Sequence, residues 1–299
     1  MSNMGNIIKK LKKYEIDISS KNEWKNILLK NKRELADNII KGIQEVLGKD
    51  ESKPQNIVKR QTYEVSVVEK DGRKRIYRIE EGLERLICKI NQDINSNIGW
   101  GNQIKINKEK CAKKEYVDLI QYDKQTDKIT CLIELKAWDN KKDNPIYAII
   151  ELLKNYFLCD AFNRKSVKSL VLLAPKEYYE IHGIINNKDF EAFINELSTQ
   201  LDVNIEVKKI NLNANDWKKF VNEKLPDSLK LTERKTKKYD KVTLKEDRLN
   251  IEKCVDNKIF SDKIYLPLSI FDIVVCNHNI MRTQQELILA YTIKNRKEI

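Results

Sequence analysis

Histidine is nearly missing from this chain of 299 residues, which has only two, His182 and His278. They stand far apart without a partner at a useful spacing, which argues against a hydrolase or nuclease centred on histidine. Glycine is scarce too, with 8 in all and no Gly-x-x-x-x-Gly-Lys or Gly-x-Gly-x-x-Gly string. The chain thus carries no sign of a phosphate loop, and energy from ATP would have to come from a partner. Its six cysteines form no Cys-x-x-Cys pair. That spacing argues against zinc ribbons and a disulfide scaffold and fits reduced thiols in a cytoplasm, with Cys131 and Cys159 acting as small hydrophobes in apolar segments. No apolar run approaches the roughly 20 residues of a membrane span. The nearest, IYLPLSIFDIVVC, is broken by Pro267 and Asp272, and the opening MSNMGNIIKKLKK lacks the apolar stretch of a signal peptide. The expectation is a cytoplasmic protein with no membrane partner.

Charge, by contrast, is plentiful. Lys and Arg number 57 against 45 Asp and Glu, a net charge of +12, and 34% of residues are charged. Such a surface is drawn to polyanions through counterion release. The positive charge gathers in KKLKK near the start and in LTERKTKKYDKVTLKEDR, from Leu231 to Arg248. The second run lacks apolar periodicity and reads as a loop or arm. Within it Arg234, Lys235, Lys237 and Lys238 are candidate nucleic-acid contacts, a solvated linker being the other reading. Tyr239 is placed where it could stack on a base.

The stretch Tyr116 to Trp138, YVDLIQYDKQTDKITCLIELKAW, puts charge where apolar residues dominate. Side chains alternate along ITCLIELKAW, so Glu134 and Lys136 share one face of a strand. DKQTDK is a hairpin turn, and pairing Lys124 with Lys128 around a three-residue loop sets Asp118 opposite Glu134. Opposed residues of an antiparallel pair face the same side, and a one-residue slip would turn Asp118 away. Buried charges have to be paired or neutralised. Two carboxylates, helped by a backbone carbonyl such as that of Leu135, make a hard oxygen site suited to Mg²⁺ or Mn²⁺. Lys136 beside them would hold or help deprotonate a water and balance charge on a reacting phosphate. A buried ion-pair cluster without a metal is the alternative for the same three residues.

Asp118, a hairpin, Glu134-Leu135-Lys136 at the end of an apolar strand and a helix from Pro145 together resemble the PD-(D/E)xK nuclease superfamily. The resemblance covers roughly residues 78 to 175, and Val117 stands where the family's name has proline. It implies a restriction-endonuclease-like αβββαβ core, with a mixed sheet flanked by helices. It further implies metal-dependent hydrolysis of a nucleic-acid backbone, DNA before RNA, in a restriction, defence or repair role. A carboxylate on the preceding helix often joins the metal in that family. Here RIEEGLERLICKINQDI supplies Glu80, Glu81 and Glu84, of which Glu84 is favoured and Glu81 stands next. On the following helix, an exonuclease-like branch carries Gln-x-x-x-Tyr. Alignment on Ala148 puts Glu151 and Asn155 at those places, which departs from the branch and leaves Glu151 and Lys154 as second-rank site residues. Cutting both strands of a duplex with one site per chain would favour a homodimer. A non-catalytic nucleic-acid-binding or assembly module on the same scaffold is the competing function.

Glu-x-Lys recurs at Glu23, Glu51, Glu206 and Glu233. Only Glu206 and Lys208, in VNIEVKKI, lie on a strand-like segment, and without an aspartate hairpin before them they read as an edge strand with a solvated face. Periodicity orders the rest as α/β. Residues 1–58 are helical, with one apolar stripe from Trp24 to Val46, and a hairpin follows, turned at Asp71-Gly72. A core over 59–215 then runs helix, strand (Gln103 to Asn107), strand (Tyr116 to Tyr122), strand (Ile129 to Trp138), helix, strand (Lys168 to Ala174), helix (Asp189 to Leu201) and strand (Val203 to Ile210). Asn144 is the N-cap expected of the central helix. Residues 216–299 read as a basic, less regular extension with a closing helix, RTQQELILAYTIKN.

Overall fold

The computed structural model describes residues 3–18, 24–48, 64–70, 73–76, 78–92, 97–106, 116–159, 164–210, 214–215, 217, 233–234, 237–243 and 271–275. The closing helix, His278 and Lys235 lie outside the described residues.

The chain begins with helix α1 (Asn3–Lys12), then a single turn α2 (Trp24–Ile27) and α3 (Lys32–Leu47). The apolar stripe read from Trp24 to Val46 is divided between two helices, because Asn31 accepts from the N–H groups of Arg33 and Glu34 and starts a new helix. Met4, Ile7 and Leu11 of α1 bury against α3. The two helices meet closely at Gly42, where a Cβ would sit 2.7 Å from a Leu11 methyl. Both helices join the same apolar core as the sheet below.

Next come β1 (Glu64–Lys70), β2 (Arg73–Ile76), α4 (Ile79–Gln92), β3 (Ile98–Lys105), β4 (Tyr116–Asp123), β5 (Ile129–Leu135), α5 (Pro145–Leu158), β6 (Ser169–Pro175), α6 (Lys176–His182), α7 (Lys188–Leu201), β7 (Asn204–Ile210), β8 (Glu233–Arg234), β9 (Lys237–Thr243) and β10 (Phe271–Val275). One mixed sheet has the order β10-β7-β6-β5-β4-β3. Strands β3, β4 and β5 are antiparallel neighbours, β5, β6 and β7 are parallel, and β10 closes the far side antiparallel to β7. The protein is thus α/β, a mixed sheet flanked by helices. Helix α4 packs on β3 and β4, α5 on β5 and β6, and α7 on β7 and α3. The apolar run of β6 suits a strand enclosed between parallel neighbours. Among the described residues no helix is long and apolar enough to cross a membrane.

Four expectations need correction. The segment from Leu231 to Arg248, read as a loop or arm, contains β8 and β9, and β9 pairs with β1 in a second sheet of order β2-β1-β9-β8. Its Lys-rich composition hides a strand whose pairing partner lies far away in sequence. The strand β7 is not an edge, since β10 covers it, and Glu206 is buried with its charge paired to Lys208 and Asn204 donating to it at 2.7 Å. The strand before the hairpin runs Ile98–Lys105 rather than from Gln103. The turn of the site hairpin also differs. Asp123 Oδ1 accepts from the N–H groups of Gln125 and Thr126, and Asp123 N–H donates to Lys128 O, which closes a four-residue loop. Tyr122 therefore pairs with Ile129, but a bulge leaves Thr130 unpaired and Gln121 opposes Cys131. The bulge restores the register that a three-residue turn would have given: Leu119 opposes Ile133, and the next pair along is Asp118 with Glu134.

Candidate active site

Strand β5 delivers Glu134 and, just past its end, Lys136, whose N–H continues the ladder to Leu173 O at 3.0 Å. Asp118 reaches across from β4 and accepts from the Leu135 N–H at 2.9 Å. In a strand the N–H and C=O of one residue leave on the same side, so the Leu135 carbonyl lies along that edge too. Lys136 Nζ donates to Glu134 Oε1 and to Glu151 Oε2, both at 2.8 Å. Asn155, buried on α5 one turn beyond Glu151, donates to Glu134 Oε2 at 3.4 Å, while its own Oδ1 has no hydrogen-bond partner among the described residues. Glu134 is 6% and Lys136 4% exposed.

Helix α4 brings the remaining acids. Leu83, Leu86 and Ile87 are buried in the core, which sets Glu80 and Glu84, one turn apart, side by side on the helix. Glu84 is 3% exposed and accepts from Gln103 Nε2 at 2.8 Å. Glu81 is tied to Arg85 at 2.7 Å. Glu80 accepts from the Ala137 N–H at 3.2 Å and from Asn140 Nδ2 at 3.1 Å, which fastens α4 to the chain just beyond Lys136. These acids and Asp118 line an open cleft of about 690 Å³, whose wall also includes Arg78, Gln103, Asn140, Lys141 and Lys142. Glu134 and Lys136 are not in that lining.

Gln103 had no signal in the sequence beyond being a polar letter in a strand. The pairs Asn102 with Leu119 and Ile104 with Val117 place it opposite Asp118, and its φ of 50° is left-handed within a strand. A non-glycine residue in that region costs on the order of 1–2 kcal/mol, so its position beside both Glu84 and Asp118 is held against strain.

Electrostatics link the acids into one system. Burial, then the charge of Glu84, push Asp118 well above the usual carboxylate range despite Lys136 and the Leu135 N–H. Burial, then Asp118, do the same to Glu134. Burial lifts Glu84 to about 8, against the pull of Gln103 and Arg85. Burial opposes the charged forms of Lys136 and Glu151 as well, but opposite charges nearby outweigh it. Lys136 is raised by Glu134, then Glu151 and Asp118, and Glu151 is lowered by Lys136, with Lys154 adding its charge.

Glu134, Glu151, Asp118 and Glu80 thus act on the Lys136 ammonium, and Asp118, Glu134 and Glu84 are forced toward the protonated form. Among the described residues no three His, Cys, Asp or Glu side chains already converge on a metal-sized point. Each acid has turned to a local donor instead: Leu135 N–H, Lys136 or Gln103. Surplus negative charge, hard oxygens and the unpartnered Asn155 Oδ1 still match what a divalent cation neutralises.

Of the sequence-derived candidates, the structure brings together Asp118, Glu134, Leu135, Lys136 and Glu151, with Glu84 and Glu81 across the cleft. Lys154 is buried on α5, away from the cleft lining. Arg234 lies in β8, and Lys237 and Lys238 begin β9, in the second sheet. Glu84→Gln offers a direct check on the electrostatics. A carboxyl raised from 4.5 to about 8 contributes stability that is complete below about 4.5 and lost as pH rises through about 8. In cation-free buffer the wild type is expected to lose up to a few kcal/mol across that window, and Glu84→Gln to flatten the profile, as followed by urea denaturation.

Comparison with protein-family models, with curated proteins and with solved structures finds no match in any of the three. The functional reading rests on the residues themselves.

Proposed function

We propose that this chain is a Mg²⁺-dependent nuclease of the PD-(D/E)xK type, with a restriction-endonuclease-like core, that hydrolyses phosphodiester bonds, of DNA in preference to RNA. The observation that carries the reading is the meeting of Asp118, Glu134 and Lys136 at the end of β5, with Glu84 facing Asp118 from α4. The element order around it, α4-β3-β4-β5-α5-β6, supports the same reading.

Asp118 and Glu134, with the Leu135 carbonyl, are the residues to hold Mg²⁺ or Mn²⁺, and Glu84 the one to join them from the helix. A bound ion would polarise the phosphate and make water a better nucleophile. Lys136 supplies a fixed positive charge for the phosphate oxygens and a donor to orient the attacking water. Glu151 and Glu134 hold that ammonium in place and keep it charged. Gln103 sets the direction of Glu84.

One observation favours a second reading, a nucleic-acid-binding module that does not cut. Lys136 already donates to two carboxylates and is not among the residues that line the cleft. The two are separated by incubating the full chain with plasmid, linear and single-stranded DNA and with RNA, in Mg²⁺, Mn²⁺ or EDTA. Cleavage that needs the metal and is lost in Lys136→Ala supports the enzyme. Wild type inert on every substrate leaves the binding module.

A further inference from the structure

The segment after β5 is tied down by an unusual number of bonds, most of them to Asn140. Asn140 N–H donates to Ala137 O at 3.2 Å, and its carbonyl accepts from His182 Nε2 at 3.0 Å. Its Oδ1 accepts from the N–H groups of Lys142 and Asp143, at 3.1 and 3.0 Å. Its Nδ2 donates to Glu80 and to Asp143, at 3.1 and 2.9 Å. Tyr178 then fixes the Asp143 carbonyl at 2.7 Å.

This fastened turn presents two exposed lysines, Lys141 and Lys142, to the cleft that holds Glu80, Glu84 and Asp118. Among the described residues neither lysine makes an ion pair, although carboxylates line the same cleft. Two ammonium groups held beside an acidic floor but not neutralised by it are available to an anion from outside. Lysine acts as a point charge rather than a reader of base edges, so the matching ligand is the phosphate backbone.

We infer that the Asn140 turn is a phosphate grip, in which Lys141 and Lys142 contact two backbone phosphates flanking the one that meets Asp118. The inference rests on the nuclease reading and adds to it the part of the surface that holds the strand. It moves substrate contact from the Lys237 region to the loop after β5.

The test measures binding of the full chain to a labelled short DNA duplex, with Ca²⁺ in place of Mg²⁺ to slow cleavage, over a series of salt concentrations. Each phosphate contact contributes roughly 0.9 to the slope of log affinity against log salt for a duplex, or roughly 0.7 for a single strand. Lys141→Ala with Lys142→Ala is expected to lower the slope by roughly 1.8 on the duplex and roughly 1.4 on the single strand, with the melting temperature unchanged. A matched removal of charge elsewhere, Lys124→Ala with Lys165→Ala, both exposed, is expected to leave the slope within error of wild type. An unchanged slope in the first variant, or an equal drop in both, overturns the grip while leaving nuclease activity to its own assay. If the wild type binds neither strand form at low salt, the nucleic-acid reading falls and the grip with it. If the slope drops as expected but nothing is cut, the grip stands and the binding-module reading gains.

Discussion

Lys136→Ala is expected to lower the rate of DNA cleavage by about 10²–10³-fold, the range found when one preorganised donor to a developing negative charge is removed. It also changes the cation-free protein. Glu134 and Glu151 both lean on this ammonium at 2.8 Å, and breaking a buried pair by removing one partner costs about 3–5 kcal/mol. Mg²⁺ is expected to return part of the lost stability, because it supplies positive charge to the same carboxylates, but not the rate. Urea denaturation with and without Mg²⁺, beside single-turnover cleavage, reads both effects. The combination of Lys136→Met and Glu134→Gln removes both charges at similar volume. It is expected to be more stable than Lys136→Ala while remaining inactive. A Lys136→Ala protein that cuts normally would place the chemistry elsewhere.

Asp118→Asn is expected to do the opposite to stability. Asp118 titrates well above the usual range because burial and Glu84 disfavour its charge. A group raised in this way stabilises the fold below its unfolded pKa and ceases to do so as pH rises through its folded one. The burial and the repulsion by Glu84 that oppose an ionised Asp118 do not act on asparagine, whose amide oxygen can still accept from the Leu135 N–H. In EDTA the variant is expected to melt a few degrees higher, the size of shift that about 1 kcal/mol produces in a domain of this class. Cleavage is expected to fall by at least the 10²–10³-fold that loss of Lys136 brings. A stabilisation of the wild type by Mg²⁺, expected to be about 2.7 kcal/mol at a hundred times the dissociation constant, should be absent from this variant. A lower melting temperature in EDTA would show that the Leu135 contact outweighs the repulsion. Under the proposed function, stability and activity are expected to oppose each other at this residue.

A smaller effect attaches to Asn140, which joins Glu80, Asp143 and His182. Asn140→Ala keeps the main-chain bond to His182 but removes the side-chain bonds to Glu80, to Asp143 and to the N–H of Lys142, and is expected to cost about 1–2 kcal/mol, as a chemical denaturation midpoint would report.

Much of the fold was legible because its signals are local. Asn144 caps α5 by accepting from Tyr147 N–H at 2.9 Å, as its place before Pro145 suggested, and β6 showed itself as an unbroken apolar run. Alternation put Glu134 and Lys136 on one face and the assumed turn set Asp118 opposite Glu134, although that turn was misjudged: a longer loop and a bulge offset each other. What stayed hidden depends on distant parts of the chain. The burial of Glu206 requires β10, more than sixty positions onward, and β9 finds its partner in β1 across the whole core. The part Gln103 plays comes from its backbone angle and its neighbours across the sheet, neither of which a single letter encodes. Helix rotation, open among Glu80, Glu81 and Glu84, was decided mostly by contacts from other elements: Gln103 took Glu84 and Asn140 took Glu80, while Glu81 turned to Arg85 one turn along its own helix.

The unpaired Thr130 gives this hairpin slack. If a residue were deleted from the loop or the early part of β5, flattening the bulge would absorb the loss and leave Asp118 facing Glu134. Descendants of this chain can therefore shorten the hairpin by one residue without dismantling what its strands hold together.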